Sequence, residues 1–180
     1  IRDSTNRLIS LKELNLGKVG KLENAIKYVI KVGGKRLRPL LVMEISKILN
    51  VSVESAYRVG MAIELIHCYS LVHDDLPAMD DDKMRRGFPT CHVKYDDATA
   101  ILVGDALQSL AFQILSDENT HSDSDVRCKL INELSKSAGI HGMVGGQMLD
   151  LIASEVKLDI KNILELQRLK TGKLFHFSLS

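Results

Sequence analysis

The sequence contains no tryptophan, and only three prolines and three cysteines occur among its 180 residues. The cysteines are Cys68, Cys91 and Cys128, an odd number at wide spacing, and no Cys-x-x-Cys pair is present. Such usage argues for reduced thiols in an intracellular protein and against a disulfide framework or a zinc site. We therefore expect a cytoplasmic protein.

Long apolar runs and a strong charge bias are absent as well. No apolar run approaches the ~18 residues that a membrane-spanning helix needs, and no signal peptide is visible. The formal net charge is +1, and no basic stripe is interleaved with aromatic residues, so nothing points to nucleic acid or an anionic membrane. We expect neither a membrane span nor a nucleic-acid partner.

The residues that are present favour helix. Hydrophobic residues make up 45% and charged residues 26% of the chain, the balance of an ordinary globular protein. No stretch alternates with period two, so we predict one all-α domain over residues 1–180. Apolar residues recur with helical spacing in the segments 8–14, 22–32, 39–49, 53–72, 94–115, 124–138 and 160–169.

The most informative stretch, residues 73–92, is densely acidic. It holds five carboxylates within nine positions and then two arginines, namely Asp74, Asp75, Asp80, Asp81, Asp82, Arg85 and Arg86. Like charges at this density repel, so the segment is either a solvated loop or a cation site. The apolar run 62–72 leads directly into the acids, which favours the site, and hard oxygen ligands suit Mg²⁺ or Ca²⁺.

A basic turn lies upstream, at residues 33–39. Lys35, Arg36 and Arg38 fall within four residues, between a glycine pair and Pro39. Backbone N–H groups at the start of the following helix, together with Lys35 and Arg38, would bind an anion. The spacing is not that of a nucleotide-binding P-loop, and a basic surface turn is the alternative.

Polar residues on otherwise apolar helices extend this pattern. His67 lies two turns before Asp74 on the same side of its helix, where it is either a packed residue or a ligand contact. Asp105 and Gln108 lie within the apolar segment 94–115, so they should be paired or functional.

Two further polar pairs occur near the end of the chain. Gln147 and Asp150 share a helix face, after glycines at 139–146 that allow a neighbouring helix or ligand to approach closely. Lys170 and Thr171 end the last predicted helix, where they either cap it or present a cation and a hydroxyl to a ligand.

Together these motifs resemble the trans-prenyl diphosphate synthases (polyprenyl synthetases), and within them the bacterial-type farnesyl diphosphate synthases. The matching pieces keep the family's order and spacing from residue 33 to residue 172. They are Gly-Gly-Lys-Arg-Leu-Arg-Pro at 33–39, Glu-Leu-Ile-His at 64–67, Asp-Asp-Leu-Pro-Ala-Met-Asp-Asp-Asp at 74–82, Arg-Arg-Gly at 85–87, Gly-Asp-Ala-Leu at 104–107, Gly-Gly-Gln-Met-Leu-Asp-Leu at 145–151 and Lys-Thr-Gly at 170–172.

The resemblance implies an all-α, isoprenoid-synthase-like bundle of mostly antiparallel helices around a central cavity, usually homodimeric. It implies a Mg²⁺-dependent prenyltransferase that condenses dimethylallyl or geranyl diphosphate with isopentenyl diphosphate to give farnesyl diphosphate. A geranylgeranyl diphosphate synthase is the alternative product class. Terpene cyclases need no isopentenyl diphosphate site, so the motif at 33–39 argues against them.

The resemblance also implies a role for each matching residue. The Mg²⁺ ligands are Asp74, Asp75 and Asp80. The isopentenyl diphosphate contacts are Gly34, Lys35, Arg38, His67 and Arg86. The groups on the allylic diphosphate side and along the catalytic cavity are Arg85, Lys170, Thr171, Gln147 and Asp150. Tyr69, five positions before Asp74, would limit the product to the farnesyl length, unless it is an ordinary core residue.

The chain departs from the family in one respect. Members of the family carry a second Asp-Asp-x-x-Asp motif on a later helix, and this sequence has none, so we expect that the C-terminal part of the domain is missing. A truncated, non-catalytic homologue that binds Mg²⁺–diphosphate or pairs with an intact partner is therefore a second hypothesis. An unrelated acidic Ca²⁺-binding module is a third, but it gives Lys35, Arg38 and Lys170 no role.

Overall fold

The structure is a computed structural model, and it describes Leu14, Leu16, residues 20–156 and residues 158–180. Most of the short helix predicted at 8–14 lies outside the described residues. The regular secondary structure of the described residues is helical apart from one two-stranded hairpin, which confirms the all-α prediction. The helices are α1 (Gly20–Val32), α2 (Leu37–Ile48), α3 (Val53–Asp74), α4 (Cys91–Lys94), α5 (Asp97–Ser116), α6 (Ser124–Ala138), α7 (Met143–Glu155), α8 (Ile160–Gln167) and α9 (Lys173–Phe177).

Helix α3 is the centre of the core. Its N-terminus is capped by Ser52, whose hydroxyl accepts a hydrogen bond from the Ser55 N–H at 3.3 Å, a typical N-cap arrangement. Met61, Ile63 and Ile66 are buried, and the helix packs mainly against α5 and α2. It continues two residues beyond the predicted range 53–72, so Asp74 is its last residue and takes a direction fixed by the helix.

Helix α5 begins three residues later than predicted, because Asp96 caps it by accepting the Thr99 N–H at 2.7 Å. Residues Cys91–Lys94 form the separate helix α4. By length and composition alone, α5 is apolar enough to cross a membrane, which the expectation of no membrane span did not anticipate. A core helix meets the same criterion, and Val103 and Leu107 of α5 are fully buried.

The acidic segment ends in a tight hairpin of strands β1 (Met84–Arg85) and β2 (Phe88–Pro89). Arg86 and Gly87 form its turn with φ values of 54° and 84°, the left-handed pair that two-residue hairpins favour. The Tyr28 hydroxyl of α1 donates to the Pro89 carbonyl at 2.6 Å. This contact fixes the hairpin against α1 and places Arg86 beside Gly34.

The last predicted helix, 160–169, is α-helical only over its first part. Helix α8 stops at Gln167, and Arg168–Gly172 form a π-helical turn that leads into α9. Helix α7 packs directly on this turn, because a Cβ at Gly146 would lie 2.2 Å from the Lys170 backbone nitrogen. The prediction that a glycine in 139–146 allows close approach is confirmed at Gly146.

Candidate active site

A cavity of about 410 Å³ opens between α3, α7 and the π-helical turn. Apolar side chains such as Met79, Met143 and Leu151 form part of its wall. Polar residues from separate parts of the chain complete it. Seven of the predicted site residues line the cavity, namely Arg38, His67, Tyr69, Asp74, Gln147, Lys170 and Thr171.

The remaining predicted residues lie around this cavity. Lys35 and Arg86 are exposed, and the Arg86 guanidinium lies beside Gly34. Asp150 on α7 binds the Lys170 ammonium group with an Oδ2–Nζ distance of 2.5 Å. The pair therefore joins α7 to the π-helical turn and balances the lysine charge at the cavity wall.

The carboxylate of Asp74 is half-buried at the end of α3. Burial raises its pKa to about 6, the Lys170 cation opposes the shift, and the charge of Asp80 adds to it. Ionising a carboxyl group that is partly buried and close to a second carboxylate costs free energy, and a bound cation stabilises the ionised form. The electrostatics therefore favour a positive ligand between Asp74 and Asp80.

Asp75 points elsewhere, although the sequence places it beside Asp74 in the predicted metal site. Arg85 binds both of its oxygens, with Nε–Oδ1 and Nε–Oδ2 distances of 2.8 and 2.9 Å and an Nη2–Oδ1 distance of 2.5 Å. Bidentate pairs of this kind are strong and directional. Arg85 and Asp75 thus bind one another in this structure, whereas the resemblance assigned Arg85 to the allylic diphosphate and Asp75 to Mg²⁺.

The donor set fits Mg²⁺ in one particular way. Among residues 20–156 and 158–180, no three His, Cys, Asp or Glu side chains are grouped as a metal site. Protein-bound Mg²⁺ usually takes only one or two carboxylates, and water and substrate phosphates supply its other ligands. Asp74 and Asp80 would serve as those carboxylates, so the residues suit a metal that arrives with a phosphorylated substrate.

His67 lies in a strongly cationic part of the cavity. Burial, followed by the charges of Arg38 and Arg86, lowers its pKa to about 3. The imidazole is therefore neutral at physiological pH and forms hydrogen bonds without adding another positive charge. A neutral donor among guanidinium groups suits a diphosphate oxygen.

This environment predicts an acid-labile fold. Because the folded pKa of His67 is lowered to about 3, protons bind the unfolded chain first as the pH falls below the ordinary histidine value of ~6.5. The contribution of neutral His67 to the free energy of unfolding is complete above that value and is lost as the pH falls toward 3. By pH 4.5 the loss should be about 2–3 kcal/mol. Urea denaturation between pH 4.5 and 7.5 measures it. His67→Gln should flatten this dependence, and His141→Gln, at an exposed position, should not; equal acid sensitivity in wild type and His67→Gln would contradict the assignment.

Two buried polar groups face the cavity without a hydrogen-bond partner. They are the Arg38 Nε–H and the Gln147 side-chain amide, of which both the nitrogen and the oxygen lack a partner. The Arg38 guanidinium carbon lies 4.5 Å from the centroid of the Phe175 ring, a cation–π contact. Unmet polar groups in a cavity wall are costly unless a ligand or water satisfies them, so both residues are well placed to contact substrate.

One buried ion pair is not indicated by the motif assignments. Arg36 Nη1 lies 2.5 Å from Glu64 Oε1, and the side chains are only 7% and 1% exposed. Arg36 adopts a left-handed backbone conformation with φ 53° at the start of α2, and its guanidinium also donates to the Ile30 carbonyl. The available signal was Glu64 itself, because a glutamate within an apolar helix requires a buried partner.

The fold and the site together define a class of protein. A helical cavity with carboxylates at one end, guanidinium groups beside them and an apolar wall suits an anionic head group joined to a hydrocarbon tail. A family model described as polyprenyl synthetase matches residues 19–180. The chain therefore belongs to the polyprenyl synthetase family, which confirms the resemblance.

Individual relatives agree with this membership. The chain is 51% identical over 150 residues to the farnesyl diphosphate synthase of Escherichia coli K12, covering 83% of this chain and 50% of the relative. It is 47% identical over 153 residues to the farnesyl diphosphate synthase of Haemophilus influenzae, covering 85% and 52%. The chain thus spans about half the length of the curated relatives that it matches.

Solved structures give the same fold. An FPP/GFPP synthase from Zymomonas mobilis superposes with a TM-score of 0.88 at 50% identity, covering 98% of this chain and 63% of that chain. A geranyltransferase from Legionella pneumophila superposes with a TM-score of 0.91 at 38% identity, covering 99% and 63%. The predicted isoprenoid-synthase-like architecture is thereby confirmed.

Proposed function

We propose that the protein is a prenyltransferase that condenses an allylic diphosphate, dimethylallyl or geranyl, with isopentenyl diphosphate to give farnesyl diphosphate. The observation that carries the proposal is the convergence of Asp74, Lys170, Arg38 and His67 on one cavity with an apolar wall. This arrangement provides for two diphosphates and one hydrocarbon tail.

The chemistry requires departure of diphosphate from an allylic carbon. The C–O bond breaks heterolytically only if the growing negative charge on the leaving group is neutralised. Mg²⁺ held by Asp74 and Asp80 would supply part of that neutralisation when bound. Lys170 supplies a cation from the opposite wall, once substrate replaces its contact with Asp150.

Other residues act on the second substrate and on the cation. Arg38, Lys35 and Arg86 would hold isopentenyl diphosphate by charge, and His67 would donate a neutral hydrogen bond. The Gln147 amide and the Thr171 hydroxyl are dipoles near the path of the allylic cation. Its C1 bonds to the isopentenyl double bond, and the resulting cation loses a proton to the released diphosphate. No protein nucleophile is needed.

Three finer properties belong to the same proposal. We infer Mg²⁺ as the metal from the hard oxygen donors, and a cytoplasmic location from the free thiols of Cys68, Cys91 and Cys128. We infer a homodimer from the exposed apolar side chains of Ile101 and Leu102 on the face of α5 that is not buried.

A condensation assay tests the proposal. The 180-residue chain is incubated with labelled isopentenyl diphosphate, geranyl diphosphate and Mg²⁺, beside a chimera that appends the C-terminal half of the Escherichia coli relative. Farnesyl product from either protein supports the prenyltransferase. Product from the chimera alone supports the second hypothesis for this chain, a non-catalytic homologue. Geranylgeranyl product would favour the longer product class, and no product from either would contradict the proposal.

A further inference from the structure

Helices α3 and α5 meet along a polar seam beneath the acidic end of the cavity. His73 occupies a notch in α5 at Gly104, where an added Cβ would lie 2.0 Å from its Nε2 atom and 2.5 Å from its Cδ2 atom. Its Nε2–H donates to the Ile101 carbonyl at 3.1 Å. The imidazole can therefore keep this place only while residue 104 has no side chain.

Tyr69 forms the second contact of the seam. Its ring packs edge-on against His73, with the ring centroids 5.5 Å apart and an interplanar angle of 84°. Burial raises the pKa of its phenol, and the Gln108 side chain, within hydrogen-bonding reach of the hydroxyl, opposes that shift. Residues 69 and 73 are one turn apart on α3, and residues 104 and 108 are one turn apart on α5. The phenol is thus held by His73 at its ring and by Gln108 at its hydroxyl.

Both aromatic rings also face the cavity. Tyr69 and His73 are among the residues that line it, and Asp74 follows His73 directly in sequence. Tyr69 lies five positions before Asp74, more than one helical turn from the acidic end. A tail whose diphosphate is bound near Asp74 would extend toward the Tyr69 ring.

We propose that His73 and Gln108 are positioning residues that fix the Tyr69 ring in the cavity and thereby set the length of prenyl tail that the protein accepts. The inference rests on the proposed function, because it requires the head group of the substrate at the acidic end. A ring without these contacts rotates about its side-chain bonds, and the space that it vacates admits a longer tail.

Binding of alkyl diphosphates with 10, 15 and 20 carbons tests this in the presence of Mg²⁺, with calorimetry as the readout. The wild type should prefer the 15-carbon over the 20-carbon ligand, and His73→Ala and Gln108→Leu should each reduce that preference about tenfold. Tyr69→Phe, which removes only the hydroxyl, should match Gln108→Leu. Affinity for the 10-carbon ligand should stay within about threefold, since it ends short of the ring.

The Gly104 notch provides a second readout that is independent of ligand. Gly104→Ala should lower the melting temperature by roughly 5 °C while His73 is present. It should have little effect in the His73→Ala background, because the clash is then removed. Gly20→Ala is the matched control, since a Cβ there meets no atom within 4 Å.

The outcomes separate the inference from the proposed function. A wild type that binds none of the alkyl diphosphates would overturn both. A wild type that discriminates by length, with unchanged discrimination in His73→Ala and Gln108→Leu, would overturn the inference alone. Equal effects of Gly104→Ala in both backgrounds would also overturn it, because His73 would then not occupy the notch.

Discussion

Glu64→Ala is expected to destabilise the fold by about 3–5 kcal/mol, because it leaves the Arg36 guanidinium buried without its counter-charge. The cost is large because Glu64 is only 1% exposed and water cannot replace the lost carboxylate. Urea denaturation measures the free energy of unfolding, and the melting temperature should fall by roughly 10 °C in a chain of this size.

Two companion variants make this result interpretable. Glu44→Ala removes the partner of Lys47 from an exposed pair on α2, where the Nζ–Oε1 distance is 2.6 Å. It should change stability by less than about 1 kcal/mol, as exposed ion pairs do. Replacing both buried partners, as Arg36→Met with Glu64→Leu, should recover most of the loss. A Glu64→Ala protein as stable as the Glu44→Ala protein would contradict the buried pair.

Asp74→Asn is expected to reduce the rate of condensation by about 10²–10³-fold, the usual cost of one electrostatic contact to the leaving group. The amide keeps the size of the side chain but removes the negative charge that would hold a cation. The measurement is kcat at saturating substrates, together with Mg²⁺-dependent binding of inorganic diphosphate, in whichever protein passes the condensation assay.

The same acidic segment provides the controls. Asp81 is exposed and binds Lys83 with an Nζ–Oδ1 distance of 2.5 Å, so Asp81→Asn should keep nearly full activity. Asp75→Asn should act mainly through Arg85, lowering stability as well as rate. Equal rates for Asp74→Asn and Asp81→Asn would argue against Asp74 as a ligand.

The sequence was sufficient for the family and the helical fold, because separated motifs each constrain a different helix. It also identified seven residues that line one cavity in the structure, because polar side chains on apolar helices need a polar environment. It was not sufficient for the partner of each charge. Asp74 and Asp75 are identical and adjacent, yet the end of α3 directs one to the cavity and the hairpin brings Arg85 to the other.

Pairings across long sequence separations explain the other differences. Arg36 and Glu64 are 28 residues apart. The sequence of the basic turn does not show that Arg36, and not Lys35, is buried, because the left-handed backbone at Arg36 is what directs its side chain inward. The Gly104 notch likewise cannot be predicted from the sequence, because a glycine in a helix does not indicate which side chain packs against it. The roles of the site residues stay predictions until the variants are measured.

The π-helical turn at Arg168–Gly172 has an evolutionary consequence. A π turn holds one residue more than the α-helical turn that it interrupts, so it can accommodate a single-residue insertion. In a regular α-helix an added residue would rotate everything after it by about 100°, whereas the π turn takes up the extra residue locally and leaves the following helix in its orientation. Leu174 and Phe177 therefore stay buried, and removing one residue from the turn should convert it to an α-helical turn without exposing them.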